Sequence, residues 1–400
     1  MVGAHRMAAD PSPGIGPIGV ADRKNTFALI NLVRFSAAAW VLLFHANIHF
    51  GAQTAFEPAN ALLRHGPVAM VLFFTLSGFI LTYRYTSLSS PDQYAGYIAA
   101  RVARLYPVYL FMGVITAYRL GEHGGDFVLY EIAPVVWVVF VVVLFLLMLQ
   151  AWVPSLFVVW NFGGSWSLSV EAFFYTCFPF LRSHFDGRNT MALLFYLAAA
   201  TVLLTFVCVT VQMQVGERSM HIMYYVLPIL RLFEFATGML VFMLLVERQV
   251  DRRLFGILAI ALASLAFAIM SVTDLPGLID VNFLLSMPFA VGFTYLSEIS
   301  VPASLEGPLN YLGHISYCLY MVQFGTIELF KTVIPFESPG ARWAAFVAAS
   351  IGAAMVLYHL VEKPSYGFVR RRLGTALRDP LAKLSTALKT PSADAGRTVP

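Results

Sequence analysis

RFSAAAWVLLFH occupies residues 34–45, inside the apolar stretch 28–50. A run of this length and apolarity fits the ~20 residues with which an α-helix crosses a hydrocarbon core. Yet it carries Arg34 and His45, with ten apolar or small residues between them. At about 100° per residue, eleven positions bring the two side chains to within about 20° of each other around the helix and roughly 16 Å apart along it. One helix face therefore holds a cation near its start and an imidazole near mid-span.

The rest of the chain has the same character. Of its 400 residues, 59% are hydrophobic and 12% charged, and the mean hydropathy is +0.73. A soluble globular domain does not show this balance. The expected fold is an all-α polytopic transmembrane helix bundle. Candidate spans fall near 28–50, 67–86, 101–119, 132–154, 165–181, 190–214, 222–246, 254–272, 281–298, 311–334 and 341–361.

Residues 1–25 lack the apolar core of a cleavable signal peptide and read as a disordered cytoplasmic tail. Residues 26–365 form the membrane domain, and residues 366–400, beginning near Arg370, Arg371 and Arg372, form a basic cytoplasmic tail. Two cytoplasmic ends need an even number of crossings. About ten spans are therefore expected, with one of the eleven segments re-entrant or broken; 101–119 and 165–181, which carry charge or Pro, are the weakest. Arg23, Lys24, Arg84, Arg101, Arg104, Arg248, Arg252 and Arg253 all fall on the cytoplasmic side in this arrangement.

Cys177, Cys208 and Cys318 lie singly in apolar segments, with neither disulfide nor metal-site spacing. No metal is expected. The net charge of +4 is accounted for by topology and gives no reason to expect nucleic acid as a partner. No inverted duplication is visible, which weighs against a transporter, since many transporters are built from such repeats.

A charge within a span is costly on insertion scales and needs a partner or a purpose. The bland reading of the opening pair is that Arg34 snorkels to the headgroups while His45 hydrogen-bonds a neighbouring helix. Further stretches add to it. FFTLSGFILTYRY, 73–85, sets Ser77 and Gly78 within a span, where small residues favour close helix approach. RVARLYP, 101–107, puts Arg101 and Arg104 on one helix face, either as topology anchors or as a cradle for phosphates, which guanidinium groups bind in bidentate fashion. GGSWSLSVEAFFY, 163–175, holds Trp166 and Glu171, a carboxylate that an arginine or a histidine elsewhere can pair. RLFEFATG, 231–238, sets Arg231 and Glu234 at the spacing of a self-neutralising pair. LGHISYCLYMVQF and YHLVEKP add Ser316, Tyr317, Tyr320, Gln323 and Glu362.

In this order and spacing the chain resembles the integral-membrane acyltransferases of acyltransferase family 3, which O-acylate bacterial surface sugars, exopolysaccharides, peptidoglycan and some glycosylated antibiotics. The resemblance runs over roughly residues 26 to 370. It rests on the Arg34 and His45 pair, the S-G-F at Ser77, the R-x-x-R-x-x-P from Arg101 to Pro107, W-S-L-x-x-E from Trp166 to Glu171, R-x-x-E-F-x-x-G from Arg231 to Gly238, S-Y-x-x-Y from Ser316, and E-x-P at Glu362. One departure stands out: Gln323 occupies a place where the family often has a second histidine.

The resemblance, together with the residues, implies transfer of an acyl group, acetyl first among them, from cytoplasmic acyl-coenzyme A to a hydroxyl of a cell-envelope or secreted saccharide or glycoside. The setting implied is the bacterial inner membrane. Arg101 and Arg104 are the expected donor-phosphate ligands, joined by Arg34. His45 is the expected general base or acyl carrier, and Glu171 the carboxylate that orients it. Ser36 and Ala37 to Ala39 are expected to leave room for a pantetheine arm beside the helix. No tightly bound cofactor is expected. The rival readings are a proton-coupled transporter or flippase, whose relays also use buried Arg, His and Glu, and a non-catalytic polysaccharide-export protein.

Overall fold

The computed structural model describes residues 27–51, 60, 63–86, 88–117, 133–156, 164–214, 225–272, 281–332 and 338–389. The expected amino-terminal tail lies outside them. Every regular element among the described residues is helical. In chain order the α-helices are α1 (Ala28–Phe50), α2 (Val68–Arg84), α3 (Pro91–Ile115), α4 (Pro134–Leu146), α5 (Trp166–Asp186), α6 (Thr190–Gln214), α7 (Pro228–Phe242), α8 (Arg252–Val272), α9 (Ser286–Leu296), α10 (Ala303–Thr332), α11 (Pro339–Leu357) and α12 (Lys363–Lys389). Among the described residues, 5 helical stretches are long and apolar enough to cross a membrane, and α2, α4 and the stretch Phe283–Leu296 are shorter apolar helices. The protein is an all-helical membrane protein.

Helix ends follow local chemistry. α1 stops at Gly51, whose φ of 63° is the left-handed conformation glycine adopts at a helix end. α3 starts ten residues before the span expected at 101, because S-P-D-Q at 90–93 forms a capping box: Gln93 N–H donates to Ser90 Oγ at 3.3 Å and the Gln93 side chain accepts from Ser90 N–H at 3.2 Å. The two segments that read as weakest are unbroken helices, with Pro107 inside α3 and Pro179 inside α5.

Irregularity falls in other segments, among them 132–154. There α4 ends at Leu146, Met148 takes φ 55°, and two short 3-10 turns follow. Past the last expected span the described chain continues as helix. A π turn at Tyr358–Glu362 joins α11 to α12, which continues to Lys389. α12 lies along α3, with Gly374 against Ala99 and an Arg378–Asp92 ion pair at 3.4 Å.

Two helix pairings position the site. α1 and α10 run side by side in the same direction: Asn31 Nδ2 donates to Asn310 Oδ1 at 2.9 Å, His45 meets Phe324, and Phe50 meets Phe330. α2 and α7 approach more closely still. A Cβ built on Gly78 would stand 2.0 Å from the Phe235 carbonyl oxygen, and one on Gly238 would stand 2.0 Å from that of Thr75. Each glycine thus admits the backbone of the other helix, the small-residue contact by which membrane helices gain van der Waals packing.

Because backbone oxygen cannot yield as a flexible side chain does, Gly78→Ala must force α2 and α7 apart, at a cost of about 1–3 kcal/mol or more. Gly256, in α8, has nothing within 4 Å of a built Cβ, so Gly256→Ala should be neutral or stabilising by about 0.5–1 kcal/mol through helix propensity. Thermal unfolding of both variants in one detergent checks the contrast. Equal midpoints for the two would remove the crossing from the account.

Candidate active site

Six helices, α1, α2, α3, α5, α10 and α12, and the π turn enclose a cavity of about 530 Å³. α1 contributes Arg34, α2 Ser77, α3 Arg101 and Arg104, α5 Glu171, and α10 Ser316 and Tyr317. These are seven of the residues picked out by sequence, drawn from points up to 283 positions apart. Arg84, Glu362 and Lys363 complete its charges: five Lys or Arg side chains face two carboxylates. The exposed Arg84 and Lys363 mark its outer edge, and the buried Leu168, Phe74 and Tyr320 its floor.

The arginines are held in three ways. The Arg104 guanidinium pairs with Glu362 and lies 5.4 Å from the ring of Tyr317. The other Glu362 oxygen accepts from the Cys318 thiol at 3.0 Å, and Tyr317 O–H donates to the Leu105 carbonyl at 2.8 Å. Arg101 sits 5.7 Å from the ring of Tyr85 and 5.4 Å from that of Tyr175, a cation-π arrangement that leaves its buried Nε without a hydrogen-bond partner among the described residues. Arg34 lines the cavity within electrostatic reach of Glu171, Arg101 and Arg104, and no carboxylate among the described residues forms a salt bridge with it.

Glu171 accepts hydrogen bonds from Tyr175 O–H and, at 3.4 Å, from Ser77 O–H. Its nearest partners are thus two hydroxyls, where the sequence pointed to an arginine or a histidine. His45 is not among them, so the expected orienting contact between Glu171 and His45 is absent. His45 also lies outside the cavity lining. It packs against Phe44, His49 and Phe324, with centroids at 5.1, 6.1 and 4.8 Å, and its Nδ1 has no hydrogen-bond partner among the described residues.

The Phe324 ring contacts both sides, 6.5 Å from that of Tyr320 on the floor and 4.8 Å from that of His45. Arg34 and His45 share a helix face, as the spacing requires. They do not share a chamber, because a side chain of α10 fills the space beside α1 at the histidine's level. Ala37 and Ala38 are buried in helix packing, and neither they nor Ser36 and Ala39 line the cavity.

Other picked residues act as framework. Arg231 forms an ion pair with Glu234 at 2.6 Å, donates to the Tyr225 carbonyl at 2.7 Å and stacks on the Tyr225 ring. That ring and Phe74 flank Trp166, so the Trp166 indole and the Arg231 pair brace the wall from behind. Gly78 serves the helix crossing. Ser316 Oγ donates to the Gly313 carbonyl at 2.8 Å. Gln323 donates to the Tyr320 carbonyl at 3.0 Å while its buried Oε1 has no partner among the described residues.

Sequence reasoning gave no role to Glu362, although E-x-P was visible; its signal was a carboxylate at the end of an apolar run. It singled out neither Lys363, at the edge of the expected membrane domain, nor Tyr366, the first residue of the expected tail.

Removing one member of a buried ion pair leaves the other uncompensated, at about 3–5 kcal/mol. Arg104→Met and Glu362→Leu should each destabilise strongly, and the double variant by clearly less than the sum, in a double-mutant cycle read by thermal unfolding. Additive losses would show that the two side chains do not interact energetically.

The match to a family model described as an acyltransferase domain extends over residues 27–359. The chain is 28% identical over 339 residues to the acyltransferase MdmB of Streptomyces mycarofaciens, covering 77% of this chain and 82% of that protein. It is 35% identical over 99 residues to protein 2 in the picA locus of Rhizobium radiobacter, covering 23% of this chain and 45% of that protein. No solved structure matches the chain. With most of its length matched, the chain belongs to acyltransferase family 3 and is a membrane O-acyltransferase.

Proposed function

We propose that the enzyme takes its acyl group, acetyl being the first to test, from acyl-coenzyme A and transfers it to a hydroxyl of a cell-envelope or secreted saccharide. The observation that carries the donor assignment is charge. A cavity with five cations against two carboxylates suits a polyanionic thioester, and guanidinium groups are fitted to phosphate oxygens by shape as well as charge.

In this reading the charged edge of the cavity faces the cytoplasm of a bacterial cell, both termini lie on that side, and about ten spans cross the inner membrane. The positive-inside bias of Arg84, Arg101, Arg104 and the basic tail supports this orientation. Arg34 and Arg101 meet the donor directly. Arg104, with one edge committed to Glu362, has its remaining donors to offer.

The chemistry needs a base, because an alcohol is a poor nucleophile at neutral pH. His45 is the proposed group. The acceptor oxygen forms a bond to the acyl carbon as the carbon–sulfur bond breaks. The hydroxyl proton passes to the imidazole and then to the departing thiolate. Access to His45 from the cavity requires the Phe324 ring to swing aside.

Purified protein in detergent, given labelled acyl-coenzyme A and a glycan acceptor, should form acylated glycan. His45→Ala should lower turnover by at least about a hundredfold while the protein remains folded. Full turnover in a folded His45→Ala protein would overturn the assignment of the base. The absence of any acylated product from the wild-type protein with a panel of saccharides would overturn the acceptor class.

A further inference from the structure

The carboxy-terminal helix begins inside the candidate site. Lys363 and Tyr366, in the first turn of α12, line the cavity together with Tyr358 and Glu362 of the π turn. The family match covers residues 27–359, so neither α12 residue lies within it.

The π turn explains how they arrive there. Residues five apart diverge by about 140° around an α-helix, so Tyr358 and Lys363 would not face one cavity across a regular helical junction. A π turn bonds i to i+5 and brings such residues nearly into line. The junction is then fixed from both sides: Glu362 is held by Arg104 and Cys318, and α12 is laid along α3, the helix that carries Arg101 and Arg104. Tyr366 lies within electrostatic reach of Arg101, and Lys363 within reach of His314. Lys363 is exposed and forms no salt bridge among the described residues. Of the basic residues in α12 it is the one that lines the cavity; Arg370, Arg371 and Arg372 do not.

We propose that α12 completes the donor site and that Lys363, at its mouth, binds a phosphate of the donor. The inference rests on the acyl-coenzyme A reading above. Its content is that the helix following the last expected span supplies a ligand-binding cation, held in place by the π turn and the α3–α12 packing.

The test pairs a side-chain change with a ligand truncation, comparing kcat/KM for acyl-coenzyme A and for the matching acyl-pantetheine, which lacks phosphates, in wild type, Lys363→Met and Lys363→Arg. The wild type should prefer acyl-coenzyme A. Lys363→Met should lose about tenfold on acyl-coenzyme A, mainly through KM, as for one charge-assisted contact at an exposed edge. It should lose nothing on acyl-pantetheine, and Lys363→Arg should restore most of the loss.

An equal loss on both donors would mark Lys363 as merely structural and overturn the inference. So would no loss on either. A wild-type enzyme that does not distinguish the two donors would overturn the polyanionic-donor reading itself, a result separable from the other two.

Discussion

The structure depends on keeping cationic side chains inside a low-dielectric bundle. An isolated charge there costs several kcal/mol, and the cost is met by pairing, hydrogen bonding or access to a polar cavity. Within one chamber this chain uses pairing, stacking on aromatic rings and access to the cavity. Arg104 is paired with Glu362, Arg101 is sandwiched by tyrosine rings, and Arg34 faces the cavity. The excess of positive charge is a property of the chamber as a whole.

That chamber exists because the helices around it are placed by contacts that do no chemistry. The Gly78–Gly238 crossing draws α2 against α7, and it thereby aims Ser77 and Phe74 into the wall. The Arg231–Glu234 pair belongs to the same framework: both charges lie in one helix, neutralise each other and anchor the Tyr225 segment against Trp166. Two arginine–glutamate pairs in this protein therefore differ in kind. One faces the cavity, and the other supports its wall.

α1 links two environments. Its first half opens on the cationic cavity through Asn31 and Arg34, while its second half buries His45 against aromatic rings of its own helix and of α10. The Phe324 ring of α10 packs against the imidazole, with ring centroids 4.8 Å apart.

Much of this was legible in the sequence. Twenty-three residues from Ala28 to Phe50 read as one span and form one helix, because apolar length alone decides whether a segment sits in a bilayer. The S-G-F, R-x-x-R, W-S-L-x-x-E and R-x-x-E-F motifs stood out, because a polar group in an apolar run is expensive and visible. Periodicity also told that Arg34 and His45 share a face, since helical geometry is local. Tertiary structure alone decided which polar groups meet. Glu171 found Tyr175 and Ser77 where the sequence offered His45, and Glu362 found Arg104 across 258 positions. It also decided that Arg34 would line the cavity while His45 packs against Phe324 outside it, and that α12 would lie along α3 and bring Lys363 to the cavity. Such pairings depend on distances between segments far apart in the chain, which no local pattern encodes.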